Sequence, residues 1–322
     1  MYMSVLSRKT RESNFFQEGI MGMLLLMLIV APFVSFAGGA HKIYVDEHAS
    51  GSENGSSAHP YRTISEALKH ADSGDEIHIL PGEYEDNLDI PKGVEVYGSG
   101  KDEVIIDAEK GSRAVAIMRH KSKIDGVTLK GGKYGIWVKK DARVSIVNCN
   151  IRKSDEDGIY AEGASVSDKY ALNISESEIE YNGRNGIFSQ KRRVVLINNE
   201  IRENKSDGLE LAAGSSSWMD DNVVSRNGGS GMRLTLDGST IYIASKNSIH
   251  SNDREGIEVN AFGGQGTINI KKSRVVENGR YGIARVQRLS FSPSFWNGLV
   301  VEGNNAFFGN VIGDVSPIIR GF

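Results

Sequence analysis

Residues 201–211 read IRENKSDGLEL: an apolar residue, an asparagine three places on, then a glycine four places later followed by another apolar residue. Nearly the same spelling recurs at IEYNGRNGIF (179–188), VSRNGGSGMRL (224–234), IHSNDREGIEV (249–259) and VVENGRYGIAR (275–285). IRKSDEDGIYA (151–161) keeps the frame with Ser154 in place of asparagine. Aligned on that column, positions 154, 182, 204, 227, 252 and 278 step by 28, 22, 23, 25 and 26 residues. A period in the twenties is the mark of a solenoid. Leucine-rich repeats share the period, but their leucine-dense consensus and helix are not visible here. Each repeat instead alternates apolar and β-branched residues in short runs broken by Gly, Asn, Asp and Ser, and so predicts three short strands and three bends.

The columns carry the prediction further. Three places before the asparagine stand Ile151, Ile179, Ile201, Val224, Ile249 and Val275, and after the glycine stand Ile159, Ile187, Leu209, Met232, Ile257 and Ile283. Ten places before it stand Val144, Leu172, Val194, Ser217, Tyr242 and Ile268, and eight before it Ile146, Ile174, Leu196, Met219, Ala244 and Ile270. Stacked at the interstrand spacing of about 4.8 Å, such columns become continuous inward apolar stacks. The expected fold is an all-β parallel β-helix. Cys149, Ser177, Asn199, Asn222, Asn247 and Ser273 form a second polar column five places before the asparagines. At least one of the two polar columns is expected to be an inward ladder of side-chain amides.

The N-terminal part differs. In YRTISEALKHADSGDEIHILPGEYEDNLDI (61–90), Thr63 can cap a short helix, with Glu66 placed for a capping box. Ile64, Ala67, Leu68 and Ala71 mark one apolar face of it, suited to covering the open end of a solenoid core. EIHIL, LDI, VEVYG and VIIDA then read as the first strands. This opening, IYVDEHASGSENGSSAHPYRTISEALKHADSGDEIHILPGEYEDNLDI, followed by N-x-x-x-G-I coils, resembles the secreted right-handed β-helix proteins of the pectin-lyase-like superfamily over residues 43 to about 312. The resemblance implies a right-handed solenoid with a short N-terminal capping helix. It leaves the reaction open, because polysaccharide lyases, glycoside hydrolases, esterases, epimerases and non-catalytic surface proteins share that fold.

Ahead of this domain, MGMLLLMLIVAPFVSFA (21–37) is apolar, follows Arg8, Lys9 and Arg11, and ends in a small-x-small pattern. It predicts a signal peptide over 1–37, with a retained anchor as the alternative and the only membrane contact. A leading strand and loop (38–60) precede the solenoid (61–322), with the helix at 63–72, regular coils over about 130–290 and a degenerate last coil at 291–322. The expected location is secreted, periplasmic or cell-surface. With 38 basic residues against 41 acidic, nucleic acid is not the expected partner. The one cysteine, Cys149, excludes an internal disulfide.

Chemistry is sought in the outward column two places after the glycine, which reads Trp137, Tyr160, Phe188, Glu210, Arg233 and Glu258. Trp137, Tyr160 and Phe188 are the candidate substrate-binding strip, since sugar rings stack on aromatic faces. Glu210, Arg233 and Glu258 are the candidate catalytic set. Two carboxylates two strands apart lie roughly 10 Å from each other, near the separation used by inverting hydrolases. An arginine between them suits a uronate. The competing reading is a charge-alternating ladder with no chemistry.

Other candidates are weaker. Asp220-Asp221 resembles the paired aspartates of polygalacturonase-type enzymes, but the accompanying Gly-His-Gly and Arg-x-Lys segments are missing. The central Gln, Asp and Asp segments of pectin methylesterases have no match either. Asp155-Glu156-Asp157 would admit Ca²⁺, although such a run in a turn is ordinarily just solvated. No other metal or cofactor is expected. The function expected is binding of a polysaccharide or cell-surface glycan, with a lyase, epimerase or hydrolase acting on an acidic polysaccharide as the alternative.

Overall fold

The chain winds through three parallel sheets in turn, as in the coil formed by Arg193–Ile197, Glu200–Arg202 and Leu209–Leu211. The computed structural model describes residues 40–109, 111–166, 169–212, 214–236, 238–261, 266–285 and 299–316. The expected signal segment lies outside the described residues. Among those described, the first sheet has eleven strands and the second and third have ten each. Neighbours in each sheet come from successive coils, beginning at Glu76–Ile79, and Lys42–Val45 adds the extra strand at the start of the first sheet. This is the parallel β-helix that the repeat spacing predicts.

Alternation along each short strand builds the core. Ile201, Leu209 and Leu211 are buried in one coil, and Ile179, Ile187, Val224 and Met232 continue the same columns above and below. The motif glycine is required by close approach. A Cβ on Gly208 would lie 2.6 Å from Val224 Cγ1 and 2.7 Å from the Gly231 carbonyl oxygen, so no side chain fits.

Both polar columns are inward ladders. Asn182, Asn204, Asn227, Asn252 and Asn278 each pass an Nδ2–H to the Oδ1 of the next rung, at 2.9–3.0 Å, ending at Asn310. Asn199 and Asn222 do the same at 2.9 Å, ending at Asn247. Each amide also accepts the main-chain N–H of its counterpart one coil back, as Asn227 Oδ1 does from Asn204 N at 3.1 Å. The residue before each ladder position is left-handed: Glu203, Arg226 and Ser251 have φ of 56°, 53° and 55°. That conformation costs a non-glycine residue roughly 1–2 kcal/mol, and the buried amide bonds offset it by satisfying the main chain at the bend. Asn305 and Asn310 carry both ladders into the last coil, where the repeat spelling is degenerate.

One column assignment is corrected. Tyr242 and Ala244 were expected to face inward, but Trp218 pairs with Tyr242 and Met219 with Ile243, and the register then shifts so that Asp220 pairs with Ser245. The inward residues are Ile241 and Ile243, while Tyr242 is 43% exposed. One extra residue at Ala244 forms a bulge, and in a period-two structure a one-residue slip exchanges the faces.

The helix α1 spans Ile64–Lys69, with Thr63 Oγ1 accepting from Glu66 N at 3.2 Å. Glu66 does not complete the box; its carboxylate takes Lys69 Nζ (2.9 Å) and His70 Nε2 (3.2 Å). Ile64, Ala67 and Leu68 are buried in the main core, so the helix covers the apolar end of the first coil. Farther along, Arg192 is fully buried and holds only main-chain carbonyls, those of Lys139, Ala142, Glu162 and Tyr170. It ties together three successive coils at the bend that leads from the third sheet back to the first. Burial pulls its guanidinium down to about 10.

Candidate functional site

The residues expected to carry function do share one line on the third sheet. The register pairs Trp137 with Tyr160, Tyr160 with Phe188, Phe188 with Glu210, Glu210 with Arg233 and Arg233 with Glu258. Alternation puts them outside the core, since Leu209 and Leu211 point in and Glu210 between them points out. Their surroundings differ from an open line of side chains.

In the aromatic half, Tyr134, Tyr160 and Phe188 stack at centroid distances of 4.6 and 5.3 Å with interplanar angles of 15° and 6°. Those distances match the spacing between strands, so the rings cover one another's faces and turn their edges to solvent. Trp137 is not in the stack. It is 8% exposed, sandwiched between the Arg113 guanidinium (3.8 Å) and Lys139 Nζ (3.6 Å), with Nε1 donating to Glu162 (2.8 Å). The flat platform of three open faces is therefore replaced by a ladder whose reachable part is the edges of Tyr160 and Phe188.

The charged half is a network larger than the sequence motif. Arg233 lies 3.0 Å from Asp207 and 3.5 Å from Glu258. Glu258 is fully buried, with Arg254 (3.5 Å) and Ser230 Oγ (3.0 Å) on its other oxygen. Glu210 accepts from Asn185 Nδ2 at 2.9 Å and sits 3.8 Å from Arg184. Of the two glutamates, Glu258 is 0% exposed and Glu210 18%, so only Glu210 reaches water.

The residue before each motif glycine belongs to this network, and that column was not singled out from the sequence. Asp157, Asn185, Asp207, Ser230 and Glu255 occupy it and are all buried. Its signal was present, because the position is small-polar or acidic in every coil from 151 to 256. Asp157 Oδ1 accepts the Asn185 N–H (3.1 Å) and Asp207 Oδ1 the Ser230 N–H (2.7 Å), making a third ladder beside the two amide ladders. Burial pushes the Asp157 and Asp207 carboxyls up to about 6, against the pull of Arg184 on the first and Arg233 on the second. Arg280 (2.7 Å) and Arg254 (3.5 Å) flank Glu255.

The remaining candidates fall elsewhere. Asp220 and Asp221 belong to the first-sheet strand and the bend after it, where Asp220 accepts from Ser245 Oγ (2.5 Å) and Asp221 pairs with Lys246 (3.7 Å). The Asp155-Glu156-Asp157 run does not converge: Asp155 is exposed, Glu156 pairs with Lys133 (3.3 Å), and Asp157 is buried beside Arg184. Among the described residues no three His, Cys, Asp or Glu side chains are grouped to hold a metal. Cys149 is a buried rung of the Asn199 ladder column, and burial pushes its thiol up to about 12.

The profile of the right handed beta helix region family matches residues 134–306, more than half of the chain. A sequence search of curated proteins finds no match. Among solved structures, pectate lyase Pel9A superposes with a TM-score of 0.64 at 15% identity, covering 87% of this chain and 79% of its own. The A-module of mannuronan C-5 epimerase AlgE6 from Azotobacter vinelandii gives 0.57 at 17% identity, covering 76% of this chain and 70% of its own. At such identity the likeness shows the fold alone, and that fold is the one implied by the pectin-lyase-like resemblance. With three parallel sheets, buried amide ladders and the profile match in agreement, the chain belongs to the right-handed β-helix region family.

Proposed function

We propose that this is an exported β-helix protein that binds an acidic polysaccharide along the outer face of the third sheet. The observation that carries the reading is a row of exposed cations running parallel to the solenoid axis. Lys133, Arg184, Arg254 and Arg280 stand in the turns before the motif glycine, with side chains 48%, 47%, 37% and 49% exposed. Beside them lie the edges of Tyr160 and Phe188. The four cations share one column down the stack, interrupted by Glu156, Ser206 and Gly229; cations spaced along the axis suit a polymer with repeated negative charge, and aromatic edges with a phenol hydroxyl suit sugar hydroxyls. Export rests on the apolar segment 21–37 and its basic flank. Titration calorimetry against polygalacturonate, alginate, a neutral glucan and duplex DNA tests the reading. Binding of one or both polyuronates, weakened by Arg184→Gln with Arg280→Gln, supports it. Equal binding of DNA, or of the neutral glucan, overturns it.

A catalytic reading stands second. Two buried carboxyls that hold protons up to about pH 6 are the kind of group that donates a proton, and Glu210 adjoins both Asp157 and Asp207. Solved β-helices with the pectate lyase and mannuronan epimerase names share the fold. Release of reducing ends or unsaturated uronates from the same glycans, abolished by Glu210→Gln, would favour this reading. Since Glu258 is sealed from solvent, Glu258→Gln is expected to act through stability rather than turnover.

A further inference from the structure

We propose that protonation of Asp157 and Asp207 switches the third-sheet face from a self-neutralised state to one that captures anionic glycan. This rests on the glycan-binding reading above and adds its regulation.

The geometry is that of two masked cations. Asp157 and Asp207 are fully buried, two coils apart in the same column, and each lies under an arginine that reaches solvent. Arg184 is 3.7 Å from Asp157 and Arg233 is 3.0 Å from Asp207. The other charged groups facing Asp157 are Glu156 on its own turn and Glu210 on the third sheet, while Asp207 faces Glu210 and Glu258. Neutral donors complete the surroundings: the Asn185 N–H for Asp157, and the Ser230 N–H for Asp207.

Within this network, five carboxylates (Asp157, Asp207, Glu210, Glu255 and Glu258) face four guanidiniums (Arg184, Arg233, Arg254 and Arg280), a net charge of −1 when all are ionised. With the two aspartic acids protonated, three carboxylates face four guanidiniums and the net charge is +1. The sign of the face therefore changes near the pH at which these two carboxyls titrate, about 6. Arg184 then keeps only Glu210 (3.8 Å) and Arg233 only Glu258 (3.5 Å), so each faces one intramolecular anion in place of two and the surplus cation is available to anions of the ligand. Loss of one proton returns the network to neutrality, and loss of both restores the net charge of −1. Proton uptake and polyanion binding are then linked, each favouring the other.

The probe is dextran sulfate, whose charge does not change with pH, with unsulfated dextran as the neutral control. Affinity is measured at fixed ionic strength between pH 5 and pH 8. The wild-type protein is expected to bind dextran sulfate about tenfold more tightly at pH 5.5 than at pH 7.5, the factor that corresponds to one pKa unit of coupling. Asp157→Asn with Asp207→Asn, which fixes both sites in the neutral form, is expected to bind at pH 7.5 as tightly as wild type does at pH 5.5. Its remaining change with pH should be under about twofold. An unchanged pH step in that variant overturns the switch, because the step then belongs to the overall charge of the protein. Dextran sulfate and polyuronate binding absent at every pH overturns the underlying glycan reading instead. Should the variant fail to fold, ¹³C carboxyl shifts of the wild-type aspartates decide: midpoints near 6 that move upward with dextran sulfate support the linkage, and midpoints near 4 refute it.

Discussion

Replacing Asn227 by alanine removes one rung from the middle of the longer ladder, and its cost follows from the bonds that rung makes. Asn227 Oδ1 accepts from Asn204 N (3.1 Å) and Asn204 Nδ2 (3.0 Å), and Asn227 Nδ2 donates to Ile201 O (3.1 Å) and Asn252 Oδ1 (2.9 Å). The substitution leaves two donors and two acceptors short, all in the interior. Asn204 Nδ2 keeps Ile179 O, and Asn252 Oδ1 keeps the residue-227 main-chain N–H. The Asn204 main-chain N–H loses its side-chain acceptor outright. An orphaned buried donor costs about 1–3 kcal/mol and each lost but partly compensated bond about 1 kcal/mol, so the total is about 4–6 kcal/mol. Urea unfolding followed by circular dichroism measures it. Asn173→Ala is the control, since Asn173 is half-buried and makes one long bond, to Val144 O at 3.3 Å, so its loss should be under about 1 kcal/mol. Equal, small losses for the two substitutions would show that the ladder is a consequence of the fold and not a support of it.

Three further outcomes are expected. The folded-state carboxyls of Asp157 and Asp207 are raised above their unfolded value of 3.8 to about 6, so their contribution favours folding below pH 4 and is lost as pH rises through 6. At pH 8 each costs about 3 kcal/mol, and Asp157→Asn with Asp207→Asn should raise the melting temperature there while changing little at pH 3.5, below the unfolded value. No gain at pH 8 in differential scanning calorimetry would contradict the burial argument. Arg192→Met should cost about 3–5 kcal/mol, because it withdraws a buried cation from four main-chain carbonyls, and a loss below 1 kcal/mol by urea unfolding would refute the clamp. Lys153→Gly should stabilise by about 1 kcal/mol, since Lys153 is exposed with φ 58°, and destabilisation would mean that its side chain has a role not evident from its position.

The repeat in IRENKSDGLEL made the scaffold legible because every coil solves the same packing problem. Val224 must meet Ile201, Ile249 must meet Val224 and Val275 must meet Ile249, and the glycine must admit the neighbouring chain. The line from Trp137 to Glu258 was legible for the same reason, since register is fixed by the buried face. What sits around that line was not. Whether Tyr134 or Trp137 stacks on Tyr160 depends on Arg113 and Lys139 taking the indole faces, and these residues lie 24 and 2 positions from it in sequence. Arg192 stands in the run KRR, which reads as a solvated turn, yet it is sealed inside because main-chain carbonyls of two earlier coils converge there. The bulge at Ala244 is masked in the sequence because the inserted residue leaves an apolar residue in each expected position.

The place where a polyanion docks is the most direct test of the third sheet as the binding face. Hydrogen–deuterium exchange with saturating oligogalacturonate or oligoalginate at pH 5.5 should slow exchange in Ile159–Ala161, Ile187–Ser189 and Leu209–Leu211 and in the turns that carry Arg184, Arg254 and Arg280. The outer faces of the first and second sheets should be unchanged. Protection confined to either of those sheets, or none anywhere at saturation, would contradict the assignment of the third sheet as the binding face.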